Sequence, residues 1–519
     1  MKNTIIDILK NDKIQKVVFI YSLAGSLLIS SCDEVLNPEP IGVSSIDAQF
    51  DTPDRAVTVV NGMYDVLPSM FRSYTDYALI IEVWSDDLFL AGGGNDFEDG
   101  NVSPEQNIPG NMWNRLYTGI QRTNTVLDRI DGVDFSDNEA LRDQFTGEAH
   151  FLRAFYYFHL VRLYGDVPLT LNEIVDVDDA KIAPSPTTEI YDQVISDLEA
   201  AITELPLNYS GNGLGQQVGR ATSDAARGLL AYVHLTLENW QLAADLAGEV
   251  IGSSNNYTLL PNYADNFNGS NENSSESIFE IQYDGINKDF IYPFNLAPPN
   301  NIGVQILGGG GAGSITDTTL VTVREGNSAH TFIEAHETGD SRRDATIFQY
   351  GRDVSYWGVE VDGSPYIEWW VSKYISYSTA NNASNFPFLR LADMHLIRAE
   401  ALNELGTSIS TAEADIDAIR ARAGLDPINT IVNVNDQDEF REAIRHERRV
   451  ETAFELKRFY DLNRWGIWQQ RSEAQGIEIP QIVQNRIVNS PMTSKPMLLF
   501  PIPQDEINNN PNARQNTGY

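Results

Sequence analysis

Cysteine occurs once in the 519 residues, at Cys32, so the chain has no internal disulfide. Lysine is almost as scarce: after residue 31 only Lys181, Lys288, Lys373, Lys457 and Lys495 occur. Against 73 acidic residues this leaves a formal net charge of −37. A surface of that sign repels nucleic acid phosphates and anionic membranes, so neither is expected as a direct partner. Strongly anionic ligands are disfavoured for the same reason. Histidine is sparse too, and the seven present show no metal-ligand spacing. His446-Glu447-Arg448-Arg449-Val450 lacks the second histidine of a zincin helix. A phosphate-binding lysine loop and a GxSxG elbow are both missing. Gly308 to Gly313 has the glycines of a dinucleotide loop, but SITDTTL follows and no βαβ unit surrounds it, so it reads as flexible loop. Carboxylates are so abundant that sequence proximity nominates no glycosidase pair. No catalytic residue, cofactor or metal site is expected. A structural calcium ion is left open and not predicted.

Long hydrophobic runs are absent as well. The longest, Val17 to Ile29, has thirteen residues, too few to cross ~30 Å of hydrocarbon as a helix. Lys2, Lys10, Lys13 and Lys16 precede it and Ser30-Ser31-Cys32 close it, which is the layout of a signal peptide over residues 1–31. The lone cysteine falls where the cleavage site ends, so Cys32 is expected to be the acylated first residue of a lipoprotein. Asp33-Glu34 and Pro38-Glu39-Pro40 then make a polar tether. The membrane is met only through the lipid.

What the chain does contain is helical pattern. In Thr146 to Pro168, TGEAHFLRAFYYFHLVRLYGDVP, the residues Leu152, Phe155, Tyr156, His159, Leu160 and Leu163 recur at spacings of three and four, with a stop at Gly165 and Pro168. Glu148 and Arg153 can pair locally or with a neighbouring helix. Asp224 to Ile251 reads as two helices turning at Glu238-Asn239, and Leu389 to Gly424 as two turning at Gly406. Ala231, Ala243, Ala247, Ala399, Ala401 and Ala412 sit where paired helices approach closely. These are tetratricopeptide-like hairpins, separated by far more than the tandem period. Further helices are expected over Asp54 to Phe71, Trp113 to Ile130, Glu189 to Leu205 and Gln437 to Trp465. In the last, Arg448, Glu451, Glu455 and Arg458 read as a scaffold ion network.

The fold class is therefore mainly α: a tetratricopeptide-like hairpin scaffold, about 50–256 and 388–470, with a loop-rich insertion, about 257–387, containing short strands such as Ser277 to Tyr283 and Glu368 to Tyr377. A segment over 471–519 completes a single body running from residue 32.

The SSC lipobox, GEAHFLRAFYYFHLVRLYGDVP, RLADMHLIRAEALNELG with IRARAG, RHERRVETAFELKRFYDLNRWG and FPIPQDEINNNPNARQNTGY, in this order, resemble the SusD/RagB family of outer-membrane glycan-binding lipoproteins of Bacteroidetes. The resemblance covers nearly the whole chain. It implies a non-enzymatic protein, anchored on the outer membrane and exposed at the cell surface, that captures oligosaccharide or polysaccharide. It further implies delivery to a SusC-like, TonB-dependent transporter. In similar proteins early loops and the central insertion build the glycan platform. Sugar faces stack on aromatic rings and hydroxyls need Asp or Asn partners. Trp84, Asp86, Asn95 and Phe97 are thus the first candidates, joined by Tyr292 and Trp357. The charge balance favours a neutral glycan. A surface glycoside hydrolase and a protein-only tetratricopeptide scaffold are the alternatives.

Overall fold

The computed structural model describes residues 46–71, 77–91, 99–136, 138–209, 217–269, 271–283, 320–323, 332, 335–350, 368–371, 373–374, 384–474 and 477–519. Asn95, Phe97, Tyr292, Trp357 and Cys32 lie outside the described residues.

The longer helices are, in chain order, α1 (Pro53–Tyr64), α2 (Val66–Phe71), α3 (Tyr77–Val83), α4 (Asn107–Arg129), α5 (Glu139–Tyr164), α6 (Thr187–Glu204), α7 (Ser223–Thr236) and α8 (Trp240–Ile251). After the insertion come α9 (Leu391–Leu405), α10 (Ile409–Ala423), α11 (Gln437–Glu451), α12 (Arg458–Trp465) and α13 (Trp468–Ala474). From α4 to α10 each helix packs against the next, so consecutive hairpins form a stack, and α11 lies on α9. All six alanines named above are fully buried. A larger side chain at these positions would hold the helix axes apart.

Helix α5 is the axis of the stack. Its apolar stripe is broader than its spacing shows: every residue from Phe151 to Tyr164 is buried. A helix enclosed on all sides needs partners for its polar groups as well. Arg153 donates to Asp197 of α6 at 2.7 and 2.8 Å. Arg220 donates to the buried Glu148 at 2.6 Å. The tyrosine hydroxyls of Tyr156 and Tyr164 donate to the carbonyls of Met63 and Pro109, both at 2.6 Å. Glu148 and Arg153 therefore pair with other segments rather than with each other. Asn138 caps the start of α5, and Gly165 ends it with φ +74°, where any other residue would be strained.

Helix α8 lies directly against α9, although the insertion separates them in sequence. The strands β1 (Leu88–Ala91), β2 (Ser277–Ile281), β3 (Leu320–Val323), β4 (Ile347–Tyr350), β5 (Glu368–Val371) and β6 (Phe386–Arg390) explain this. β2 leaves the scaffold and β6 returns to it, paired antiparallel with Ile281 opposite Phe386 and Ser277 opposite Arg390. This clamp rests on aromatic side chains of the helical core: Phe279 meets Phe151 at 4.9 Å, Phe388 meets Phe155 at 4.8 Å, and Phe386 stacks on Phe71 at 5.3 Å between ring centres. Each ring so buried stabilises the junction by roughly 1.5–3 kcal/mol. Beyond the clamp, β1 pairs with β3 and β4 with β5, both antiparallel, and β3 lies beside β5.

Two expected helices are interrupted. Asp54 to Phe71 divides into α1 and α2 at Asp65, and Gln437 to Trp465 divides at 452–457. In the second break Phe454 and Leu456 both adopt positive φ, +57° and +59°. Such backbone is costly for these residues and persists only where neighbours fix it.

Candidate functional site

The segment expected to begin the glycan platform is Trp84 to Asp87, joining α3 to β1. Its first residue is core. Trp84 is 1% exposed, sits edge-on to Phe459 and Phe500 at 5.2 and 4.8 Å, and its carbonyl accepts the Trp468 indole N–H at 2.8 Å. Its backbone N–H donates to the Ile80 carbonyl at 2.8 Å, continuing the last turn of α3, and every residue from Ile80 to Asp87 is buried, so the whole segment runs through the core. Trp84 cannot stack on a sugar.

Asp86 is equally enclosed. Arg458 donates to its carboxylate through Nε and Nη2 at 2.6 and 2.8 Å, Arg471 through Nε at 2.9 Å, and Arg449 reaches its backbone carbonyl at 3.1 Å. Arg449 also donates to Asp87 at 2.7 Å. Burial alone would push the Asp86 carboxyl up, but Arg449, Arg458 and Arg471 together hold it well below the usual carboxylate range. Asp87 goes the other way, raised by burial and by the Asp86 charge beside it. Asp86 is anchored by three arginines, and its hydrogen-bonding capacity is spent inside the protein. Both Trp84 and Asp86 are therefore corrected from sugar contacts to supports of the segment leading into residues 92–98.

The insertion is tied down by the same helices. Arg390, at the end of β6, donates to Glu276, Glu451 and Glu455 at 2.8, 2.9 and 2.6 Å, and all four side chains are fully buried. Arg422 bridges Glu276 and Glu451 at 3.0 and 2.5 Å. From within the insertion, Lys373 donates to Glu455 at 2.8 Å and to the Ala453 carbonyl at 2.7 Å, over the face of Phe267 at 4.1 Å. Arg342 grips Asp340 at 2.9 and 2.8 Å and reaches Glu447 and Glu451 of α11. The break at 452–457 sits at this crossing, where Glu82 of α3 accepts the Leu456 N–H at 2.6 Å. The strained turn thus receives α3, β6 and the insertion together.

This region offers support rather than reaction chemistry. Asp86, Asp87, Glu276, Asp340, Glu447, Glu451 and Glu455 are each held by Arg or Lys, an arrangement that braces the fold rather than pairing a proton donor with a base. Arg448, Glu451, Glu455 and Arg458 are all engaged in scaffold ion pairs, as expected, but not with one another: Arg448 donates to Asp461 at 2.6 Å, Arg458 to Asp86, and Glu451 and Glu455 both accept from Arg390. Among the described residues no group of three or more His, Cys, Asp or Glu side chains could hold a metal ion. The fixing roles of Arg449, Arg471, Arg342 and Lys373 escaped the sequence. One signal was present: Asp86-Asp87 stands between ALIIEVW and LFLA, and two carboxylates in so apolar a stretch require buried cations.

Comparison with known proteins gives this geometry a context. Residues 249–519 match a family model described as the SusD family, and residues 58–235 match one described as starch-binding, associating with outer membrane. A SusD-like protein P25 of Formosa agariphila is 27% identical over 98% of this chain and 100% of its own length. The starch-binding protein SusD of Bacteroides thetaiotaomicron is 25% identical, covering 78% of this chain and 77% of its own. Among solved structures, a laminarin-binding SusD-like protein superposes with a TM-score of 0.70 at 25% identity, over 91% of this chain and 100% of the other.

Proposed function

Because the chain belongs to the SusD family, we propose that it captures oligosaccharide or polysaccharide at the outer-membrane surface and delivers it, uncleaved, to a SusC-like TonB-dependent transporter. The observation that carries this reading is the buried ion cluster. It joins Asp86 and Asp87, just before residues 92–98, and Lys373 and Arg390, within and at the end of the central insertion, to the same scaffold segment. A surface that stacks on sugar rings gains affinity when the segments carrying it are anchored to a scaffold, because less chain freedom is then lost on binding. The two candidates sealed inside leave Asn95, Phe97, Tyr292 and Trp357 as the proposed contacts. The relatives' names add weight: one names starch and one laminarin as what it binds.

A neutral glycan suits a molecule of net charge −37, and binding by stacking and hydrogen bonds should vary little with salt. The arginine-bound carboxylates speak for capture without cleavage. Attachment is proposed through lipid on Cys32; among the described residues no helix is long and apolar enough to cross a membrane.

Affinity electrophoresis and calorimetry of the full chain across a polysaccharide panel including starch and laminarin test the proposal. Retention by at least one neutral polymer, with no reducing ends released and loss in Phe97→Ala/Trp357→Ala, is the expected result. A folded sample that no polymer retains would end the glycan reading. Co-purification of a transporter with the wild-type protein tests delivery.

A further inference from the structure

Away from the ion cluster, a cleft of about 380 Å³ opens where four segments converge: 207–209 after α6, 217–222 before α7, 255–257 after α8, and 273–280 running into β2. Its volume is at the lower end of the range for small-molecule sites. The lining chemistry is unusual for this acidic protein. Asn208, Asn255 and Asn273 contribute amides, Ser275 a hydroxyl, and Tyr209 and Tyr257 partly buried rings. Its charged members are engaged elsewhere: Arg220 with Glu148, and Glu280 with the Asn273 N–H and the Asn385 amide at 2.9 and 3.0 Å.

These groups are held in place. Asn255 donates to Asp224 at 2.7 Å and to the Leu207 carbonyl at 3.0 Å, while its oxygen accepts from Asn208 at 3.1 Å. The Tyr209 hydroxyl donates to the Ala221 carbonyl at 2.5 Å, which fixes the ring at the cleft wall. Asn273 exchanges two amide hydrogen bonds with Gln282, at 3.1 and 3.0 Å. Beyond its pair with Gln282 the Asn273 amide keeps a second N–H and a second oxygen lone pair, a donor and an acceptor that suit adjacent hydroxyls on a ring, and tyrosine supplies a face for its C–H groups. The cleft of about 400 Å³ around Trp240 contrasts with this, since Glu404 and Asp438 with Arg441, and Glu442 with Arg445, line it with ion pairs.

We propose that the amide-lined and tyrosine-lined cleft between α6, α7, α8 and β2 is a second carbohydrate site, accepting one or two neutral sugar rings independently of the loop platform. Its ligand class rests on the glycan-capture reading; its location does not. The described walls of the site are helix ends and the insertion's first strand. A glycan bound on the platform is not required to fill it.

The test is hydrogen–deuterium exchange of the full chain, with and without millimolar methyl glucoside, methyl galactoside, methyl mannoside, methyl xyloside and laminaribiose. At least one sugar is expected to slow exchange severalfold in peptides spanning 207–222 and 253–280. Asn208→Ala should weaken that effect about tenfold in sugar concentration, as loss of a hydrogen-bonding partner does. Ser275→Trp, at an exposed position, should fill the cleft and abolish the effect while the melting temperature stays unchanged. Phe97→Ala/Trp357→Ala should lose polymer retention and keep the protection, which separates failure of this site from failure of the platform. No protection by any sugar of the panel, or protection that survives Ser275→Trp, would overturn the proposal.

Discussion

At Asp86 three guanidinium groups converge on one buried carboxylate and its backbone, and removing that charge takes the carboxylate partner from Arg458 and Arg471. Asp86→Asn is expected to destabilise the fold by about 3–5 kcal/mol, the scale for breaking a buried pair from one side, read as a lowered urea midpoint at pH 7. Acid should act on the same cluster. Burial alone would raise the Glu451 carboxyl, but Arg422, Arg390 and Arg342 bring it down to about 2. A carboxyl depressed in the folded state contributes stability in full above its ordinary value of 4.5. That contribution is lost as pH falls towards 2. Chemical denaturation should therefore show stability falling from pH 4.5 to pH 2; a flat profile there would contradict the assignment. Lys373 has the opposite sign. Burial pushes it down to about 8, so the penalty for keeping it charged is complete below that pH and is relieved as the pH rises further. The cationic half of this cluster was legible in the sequence, because RHERRVETAFELKRFYDLNRWG crowds both signs on one stretch. Its pairing with Asp86 and Asp87 was not, since they stand more than 350 residues away and only folding brings the two together.

Helix α5 shows how a single element depends on distant chain. Its last carbonyls would be unsatisfied in the core, yet Leu163 accepts from the Phe500 N–H at 2.7 Å and Tyr164 from the Asn516 amide at 2.8 Å. Asn516→Ala should cost about 1–3 kcal/mol by uncovering a buried acceptor, seen as a drop in melting temperature. At the middle of α5, the Tyr156 ring lies against Gly119 of α4, and its hydroxyl is tethered to Met63, so the ring cannot swing aside. Gly119→Ala should overpack that contact by about 1–3 kcal/mol, whereas Gly62→Ala, with open space around it, should not. The hairpins were legible because alanines and aromatic residues keep helical spacing and Glu238-Asn239 and Gly406 mark the turns. The break at 452–457 was not: Phe454 and Leu456 carry no local sign of positive φ, which tertiary contacts impose.

At the scale of the whole molecule, the insertion and the scaffold share charges. Replacing residues 284–383 by a short linker would keep the β2–β6 clamp but remove Lys373 and Arg342, leaving Glu455 and Glu447 short of cations. The excised protein should melt well below the parent, and Glu447→Gln with Glu455→Gln should recover part of the loss, a rescue that loop entropy alone does not predict. The body's hairpin architecture was readable from periodicity. The sugar-facing surface was not, because aromatic residues in loops and in cores look alike until something is packed on them, as Trp84 shows. The adjacency of α8 and α9 has one more consequence. A chain that emerges from the ribosome N-terminus first delivers α8 long before its partner, and at roughly 5–20 residues per second the wait is on the order of ten seconds. Throughout that interval the alanine-rich flank of α8 is a sticky, half-built surface.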